Sequence, residues 1–333
     1  MKSYSGRFAL RLFSFYLIVP MFFVPLCVSA SPPDYSGEYA YYIGHNSPMA
    51  LTLVQSKHDI TFIVDGIASK GSIHGKKISL TTETPYVMSI KARFTKDGQS
   101  FNGTFEITDP VYVQGSIAGY KGHWETYDGD INMLPQFIAS QCIELDKIQK
   151  ISKFRSGEGH DYSDDFESCR SMKHYFLPKD DVPYKTVKII SPVNGTITGT
   201  TEEWEGTDLW KGTAIGIKPD EQKAFHLILF HINLLKPLKV GDKVFAGQEL
   251  GLSEKISGTV SDFAVGVLTP SGYKLVSYFE VMTDSLFTEY QDRGMTSRND
   301  AIITKEERDA DPLTCNDQTF VDPGNLENWV TLN

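Results

Sequence analysis

Four of the eight histidines in this 333-residue chain stand in stretches where they could do chemistry. In "GEGHDYSDDFESC", His160 and Asp164 are four residues apart, amid Glu158, Asp161, Asp165 and Glu167. Imidazole and carboxylate are the donors that hold zinc in hydrolytic sites while leaving one position for an attacking water. Short His/Asp spacings also arise by chance, and a polar loop lining the mouth of a groove is the preferred reading of this one. In "SMKHYFLPKDD", His174 stands between aromatic neighbours, and Pro178, four residues on, offers no donor; Asp180 or Asp181 could serve only if the loop rearranges. No resident metal is favoured by these donors, and if one were bound, His160, Asp164 and His174 would be its ligands. In "AFHLILFHINLL", His226 and His231 point to opposite faces of a regular strand. Trp204 and Trp210, in "TEEWEGTDLW", fall in a hairpin loop, where exposed rings stack on a sugar or clamp a peptide, or else pack beneath the loop.

The elements that must position these residues are mainly β. From Tyr35 to about Tyr127, short alternating runs such as "DITFIVDG" and "GSIHGKKISLTT" are punctuated by "DG", "HG" and "NG". Period-two alternation between such turns predicts antiparallel hairpins, six to eight strands of them, in a small up-and-down barrel or a meander sandwich. Residues 31–132 are assigned to this barrel-like domain. His45, His58, His74 and His123 lack ligand spacing and are read as surface or hairpin residues; Tyr41, Tyr42, Tyr112 and Tyr120 either pack across strands or line a barrel mouth. In "PQFIASQCIELDKIQKI", apolar residues recur at helical spacing, which predicts a connecting helix over 133–152. Strands return over 153–333, in a second β domain of barrel-sandwich type whose polar tail wraps back through Leu313, Phe320, Leu326, Trp329 and Val330.

Composition bounds the function. A formal charge of -10 and a pI near 5.3, with no long basic run, argue against a nucleic-acid surface. Lys2, Arg7 and Arg11 precede the apolar "LFSFYLIVPMFFVPLCV", and Val28-Ser29-Ala30 supplies a small-residue exit, the pattern of a cleaved signal peptide over 1–30. A retained anchor is the rival reading, but Pro20 and Pro25 interrupt a run near the lower limit of roughly 17 residues for a span. Bulky Leu26 disfavours lipidation of Cys27. The expectation is a secreted or periplasmic protein with no stable membrane insertion after cleavage. Of the remaining cysteines, Cys169 with Cys315 is the favoured disulfide because it would tie the tail down, leaving Cys142 free on an apolar face.

"SPVNGTITGT", "FHINLL" and "LKVGDKVFAGQELG", followed by "YFEV", resemble the lysostaphin-type zinc endopeptidases, cell-wall hydrolases built on the duplicated hybrid motif, over roughly 154–281. That family pattern has a His-x-x-x-Asp element, a strand with a helper histidine, a V-x-x-G-D-x-V-x-x-G-Q-x-I-G turn, and a closing H-L-H-F-E. His231 matches the helper histidine, and His174 falls where the first ligand is expected, with Pro178 in place of the aspartate. Aligning "YFEV" on the last motif puts Val276 and Tyr278 where the histidine pair belongs; a phenol is a poor ligand beside imidazole. The resemblance implies an exported pseudo-peptidase that binds peptidoglycan or an extended peptide, or regulates a cell-wall hydrolase. His231 is then a vestigial catalytic residue, and His174, Tyr278, Trp204 and Trp210 are the binding candidates. An active zinc endopeptidase with a rearranged site and an envelope adhesion protein are the alternatives.

Overall fold

The computed structural model describes residues 33–333 except 83–86, 110–111, 184, 206–208 and 255–260; the expected signal segment lies outside the described residues. Eight strands open the chain: β1 (Gly37–Ile43), β2 (Met49–Ser56), β3 (Asp59–Val64), β4 (Ile67–His74), β5 (Lys77–Thr82), β6 (Val87–Phe94), β7 (Ser100–Asp109) and β8 (Val113–Lys121). Each pairs antiparallel with the next, and β8 returns to pair with β1, Ile117 opposite Ile43. The expected up-and-down barrel is therefore closed, which removes every edge. Alternation along the strands sends Leu51, Leu53, Ile60, Phe62, Ile78, Leu80 and Ile90 inward as one core.

The second half is also antiparallel β. Its strands are β9 (Ile148–Ser152), β10 (His174–Pro178), β11 (Lys188–Ile190), β12 (Gly195–Glu205), β13 (Leu209–Pro219), β14 (Phe225–Leu234), β15 (Lys243–Val244), β16 (Glu249–Ser253), β17 (Ser261–Thr269) and β18 (Gly272–Val276). The long hairpin β12–β13 continues into β14, which pairs with β17; β17 also pairs with β10 and β18. Positive-φ turns at Gly241 and Gly247 bring β15 and β16 back; of the three residues of "VGDKVFAGQELG" expected to face a core, Val244 and Leu250 enter the larger one and Val240 stays half-buried outside it. The barrel joins this sheet through β8 and β12, Thr201 opposite Gly115. The join needs glycine: a Cβ on Gly199 would stand 1.6 Å from the carbonyl oxygen of Gly44.

The helix expected over 133–152 does not form. Phe137, Ile138, Cys142, Leu145, Ile148 and Ile151 are all buried, so the apolar positions are right and the backbone is not. Phe137 and Ile138 donate to the Val281 carbonyl, Glu144 donates to Lys188 and Ile190 to Cys142, and the segment ends in a 3-10 turn, Leu145–Lys147, followed by β9. Backbone partners supplied by other segments override a local period, which cannot by itself separate a buried irregular stretch from a helix.

The tail does wrap back. Its last strand, β21 (Trp329–Thr331), pairs with β9, after the hairpin of β19 (Thr314–Asn316) and β20 (Thr319–Asp322). Cys169 and Cys315 form the expected disulfide across a separation of 146 residues, and Cys142 is free and buried. Arg308, wholly buried, donates to the Arg155 and Asp311 carbonyls. Opening a loop of this length by Cys315→Ser should lower unfolding stability by at most about 5 kcal/mol. Urea denaturation with and without reductant checks it: reductant should destabilise the native chain and leave the variant unchanged.

Candidate functional site

The polar residues that the strands bring together are Lys173, Asp262, His231 and Glu203, with His160 and His45 beside them. Lys173 immediately precedes β10, and Asp262 is the second residue of β17, whose register sets Tyr175 opposite Asp262 and His174 opposite Phe263. The Lys173 ammonium lies 2.5 Å from the Asp262 carboxylate, with 2% and 0% of the two side chains exposed. Asp262 also lies 3.2 Å from His231 Nε2, and His231 Nδ1 lies 3.1 Å from Glu203. The four groups thus alternate in sign, ammonium, carboxylate, imidazole, carboxylate. Aromatic faces enclose the ammonium, with the ring centroids of Phe230, Tyr162 and Tyr175 at 4.4, 4.7 and 5.0 Å.

A bulge in β14 aims His231. The register against β13 shifts between Thr213 and Ile215, and His231 takes φ +56, a left-handed conformation rare outside glycine, asparagine, aspartate and histidine. Its backbone N–H leaves the ladder and donates to Glu203 at 2.8 Å. Gly212 makes room, since a Cβ there would stand 2.7 Å from the His231 carbonyl carbon. Burial alone would push His231 down, but the carboxylates of Asp262 and Glu203 outweigh it and raise it to about 9. The imidazole is accordingly a cation at neutral pH. Burial also opposes the charge on Lys173, and Asp262 more than offsets it, so the ammonium is held charged.

The remaining sequence candidates scatter. His160 Nδ1 donates to the Asp161 carbonyl at 2.8 Å, and its Nε2 accepts from Lys173 at 3.2 Å. Asp164 does not join it: its carboxylate accepts from the amides of Phe166, Glu167 and Leu275. His174 points away, donating from Nδ1 to the Ser152 carbonyl and accepting at Nε2 from Ser277; burial pushes it down to about 4. Tyr278 is a core residue with no surface exposed, its ring against Phe263 and its hydroxyl 3.4 Å from the Ser140 carbonyl. Trp204 is half-buried against Tyr112, and its indole N–H has no hydrogen-bond partner among the described residues. The side chain of Trp210 lies outside what is described. Among the described residues no group of three or more His, Cys, Asp or Glu side chains is placed to hold a metal ion.

One sequence reading at the site needs correction. "YFEV" is not a strand: Tyr278–Val281 is a short helix, α1, capped by Ser277, whose hydroxyl accepts from Phe279 while Glu280 accepts from the Ser277 amide. The S-x-x-E spacing that announces such a cap was present in the sequence. The strand beside His231 is β17, and Asp262 was missed there although one charge in an apolar strand signals a buried polar site. His45 lies in the turn of the first barrel hairpin, as expected, but half-buried: its amide donates to Thr201, its ring is edge-on to Phe230 at 5.2 Å, and burial pushes it down to about 4. A cleft of about 390 Å³ opens nearby, between Asn46 and Ser47 of that turn and Tyr162, Asp164, Asp165 and Tyr273.

Several solved structures resemble the chain, among them the following three. One is described as glycyl-glycine endopeptidase lytM from Ruminococcus gnavus, at 19% identity and TM-score 0.25, over 32% of this chain and 44% of that one. Another is a zinc-containing peptidase from Vibrio cholerae, at 14% identity and TM-score 0.24, over 66% of this chain and 55% of that one. The third is Csd3 from Helicobacter pylori, at 13% identity and TM-score 0.32, over 76% of this chain and 80% of that one. The chain thus spans about half the length of the first two. Neither a protein-family model nor a curated protein matches the sequence.

Two predictions follow from the charges. His231, raised from an unfolded value near 6.5 to about 9, contributes stability that is complete below pH 6.5 and is lost as pH rises through 9. His174 and His226, lowered by burial to about 4 and 3, contribute stability that is complete above pH 6.5 and is lost as pH falls toward those values. Denaturation across pH should therefore show a maximum near neutrality. In His231→Asn, which tolerates the left-handed backbone, the alkaline limb of about 3 kcal/mol should vanish. Separately, Lys173→Met should cost about 3–5 kcal/mol by stranding Asp262, while Lys173→Met combined with Asp262→Asn should recover most of it. Chemical denaturation of the single and double variants gives the coupling.

Proposed function

We propose that this chain is a peptidase-like cell-wall protein that has kept a lysostaphin-type frame without its zinc chemistry. In this reading it grips peptidoglycan or another extended peptide, or docks on and regulates a cell-wall hydrolase, and does not cut. The observation that carries the reading is the ammonium of Lys173. In the family pattern the strand after the turn bears a histidine pair in alternation; here β17 bears Asp262 and Ala264 at alternate positions of one face. The Asp262 carboxylate already has a covalently tethered cation against it. A divalent ion would have to displace that ammonium against like charge.

The donors that remain do not fit zinc. His231 has both ring nitrogens on carboxylates and carries a proton at neutral pH, whereas a ligand must be neutral. His160 has one nitrogen on a carbonyl and the other on Lys173. Asp164 is taken up by backbone amides. What is kept is a polar cleft beside fixed charges and aromatic edges, able to hydrogen-bond an extended, amide-rich ligand. The Cys169–Cys315 disulfide supports an oxidising, exported setting. Among the described residues no helix is long and apolar enough to cross a membrane.

The test uses the purified chain from Ser31 onward with isolated cell-wall sacculi. The protein should sediment with the sacculi and release no soluble peptide fragments, with or without added zinc. Chelator-sensitive release would overturn the reading in favour of the zinc endopeptidase. Failure to sediment, with retention on purified hydrolase or on other envelope fractions, would move it to regulation or adhesion.

A further inference from the structure

The barrel is filled unequally along its axis. At one end Tyr35 stacks on Phe94 with centroids 3.9 Å apart, and Phe101 lies 5.4 Å from Phe94 and 5.8 Å from Tyr39, so that aromatic rings close the interior. Toward the other end two inward positions are small. Ser69 of β4 faces Phe62 of β3, and β5 ends on Thr82. A cavity of about 250 Å³ is left there, walled by Tyr41, Phe62, Leu80, Met88 and Ile90. Its rim is apolar as well: Ile67 is 54% exposed and Val87 38%. Of the residues that line it, Asp65, in the β3–β4 turn, is the one that carries a charge.

An apolar void in a barrel forfeits dispersion contacts on every wall, and dry cavities of about 150 Å³ already take benzene. We propose that this cavity is a binding site for one unbranched aliphatic chain, entering tail first through the mouth with an uncharged head group at the rim. At about 30 Å³ per methylene, comparable to a water molecule's share of liquid volume, the cavity holds roughly eight carbons. Apart from Asp65, the lining residues with a polar side-chain atom besides sulfur are Tyr41, Ser69 and Thr82, so a polar ligand finds few partners, while a hydroxyl or ester at the mouth could reach Ser69. Asp65 repels a carboxylate head, so neutral amphiphiles bind in preference to fatty-acid anions. Ile43 and Met49 line both this cavity and the cleft near the first barrel turn, but the assignment does not rest on the function proposed for that cleft.

The test is fluorescence of N-phenyl-1-naphthylamine on the purified chain from Ser31 onward, displaced by a series of 1-alkanols. The dye should brighten on binding, and displacement should strengthen roughly fourfold per methylene up to about eight carbons and then level off. Octanoate should compete roughly tenfold less well than octanol, and Asp65→Asn should narrow that gap. Ser69→Trp, which fills the mouth, should lose roughly tenfold or more in affinity, while Ala68→Trp, on the adjacent outward position, should bind as the native chain does. No dye signal on the native chain overturns the proposal. So does an alkanol series without a plateau, or a folded Ser69→Trp that binds normally. Should Ser69→Trp fail to fold by circular dichroism, the Asp65→Asn ratio decides, and an unchanged ratio overturns the assignment.

Discussion

Lys173 and Asp262 are opposite charges 2.5 Å apart in a region that water does not reach. Desolvating both costs several kcal/mol, and only their attraction and the groups around them offset it. Asp262 is shared with His231, His231 with Glu203, and Lys173 with His160 and three aromatic faces. Removing any one member leaves the remaining three with an unbalanced charge. The register of β10 against β17, the bulge in β14 and the position of β12 are therefore constrained by one network, because each contributes one of its groups.

That network also sets how the barrel meets the second sheet. Glu203 lies on β12, the strand that pairs with β8, and Thr201 two residues earlier accepts from the amide of His45. His45 in turn rests on Phe230, whose other contacts include the Lys173 ammonium and Tyr162. The approach is close enough that glycine is required at Gly199 against Gly44. The first barrel turn is thus part of the wall around the charges, and a change in barrel register would move His45 off the site.

Much of the fold was legible because it depends on alternation and turn chemistry. Strands β1 to β8 follow period-two patterns between turn signals, and the turns at Gly241 and Gly247 needed left-handed backbone that the sequence announces with glycine. The disulfide was legible as well, since it ties down a tail that has few apolar anchors. The segment 133–152 was not, because burial on one face looks alike in a helix and in a stretch whose amides are taken by Val281 and Lys188. The site was legible only in part. His231 was found from its motif, whereas Lys173 and Asp262 lie far apart in sequence and meet only through β10–β17 pairing. "YFEV" misled because motif likeness was weighed above the S-x-x-E cap that the same residues spell.

The arrangement is costly for a merely structural plug. Apolar residues of similar volume would fill the space under Phe230 with no desolvation penalty, and replacing buried ion pairs in this way is often neutral or stabilising. Instead the chain holds His231 at a left-handed φ, gives up a ladder hydrogen bond to Glu203, and keeps two cations and two carboxylates in register. Backbone strain and buried charge of this kind concentrate where a protein meets a ligand. A buried ammonium against Asp262 offsets carboxylate charge without a metal ion. On that argument we propose that the cleft walled by Tyr162, whose ring lies against the Lys173 ammonium, serves recognition through a preformed hydrogen-bonding wall.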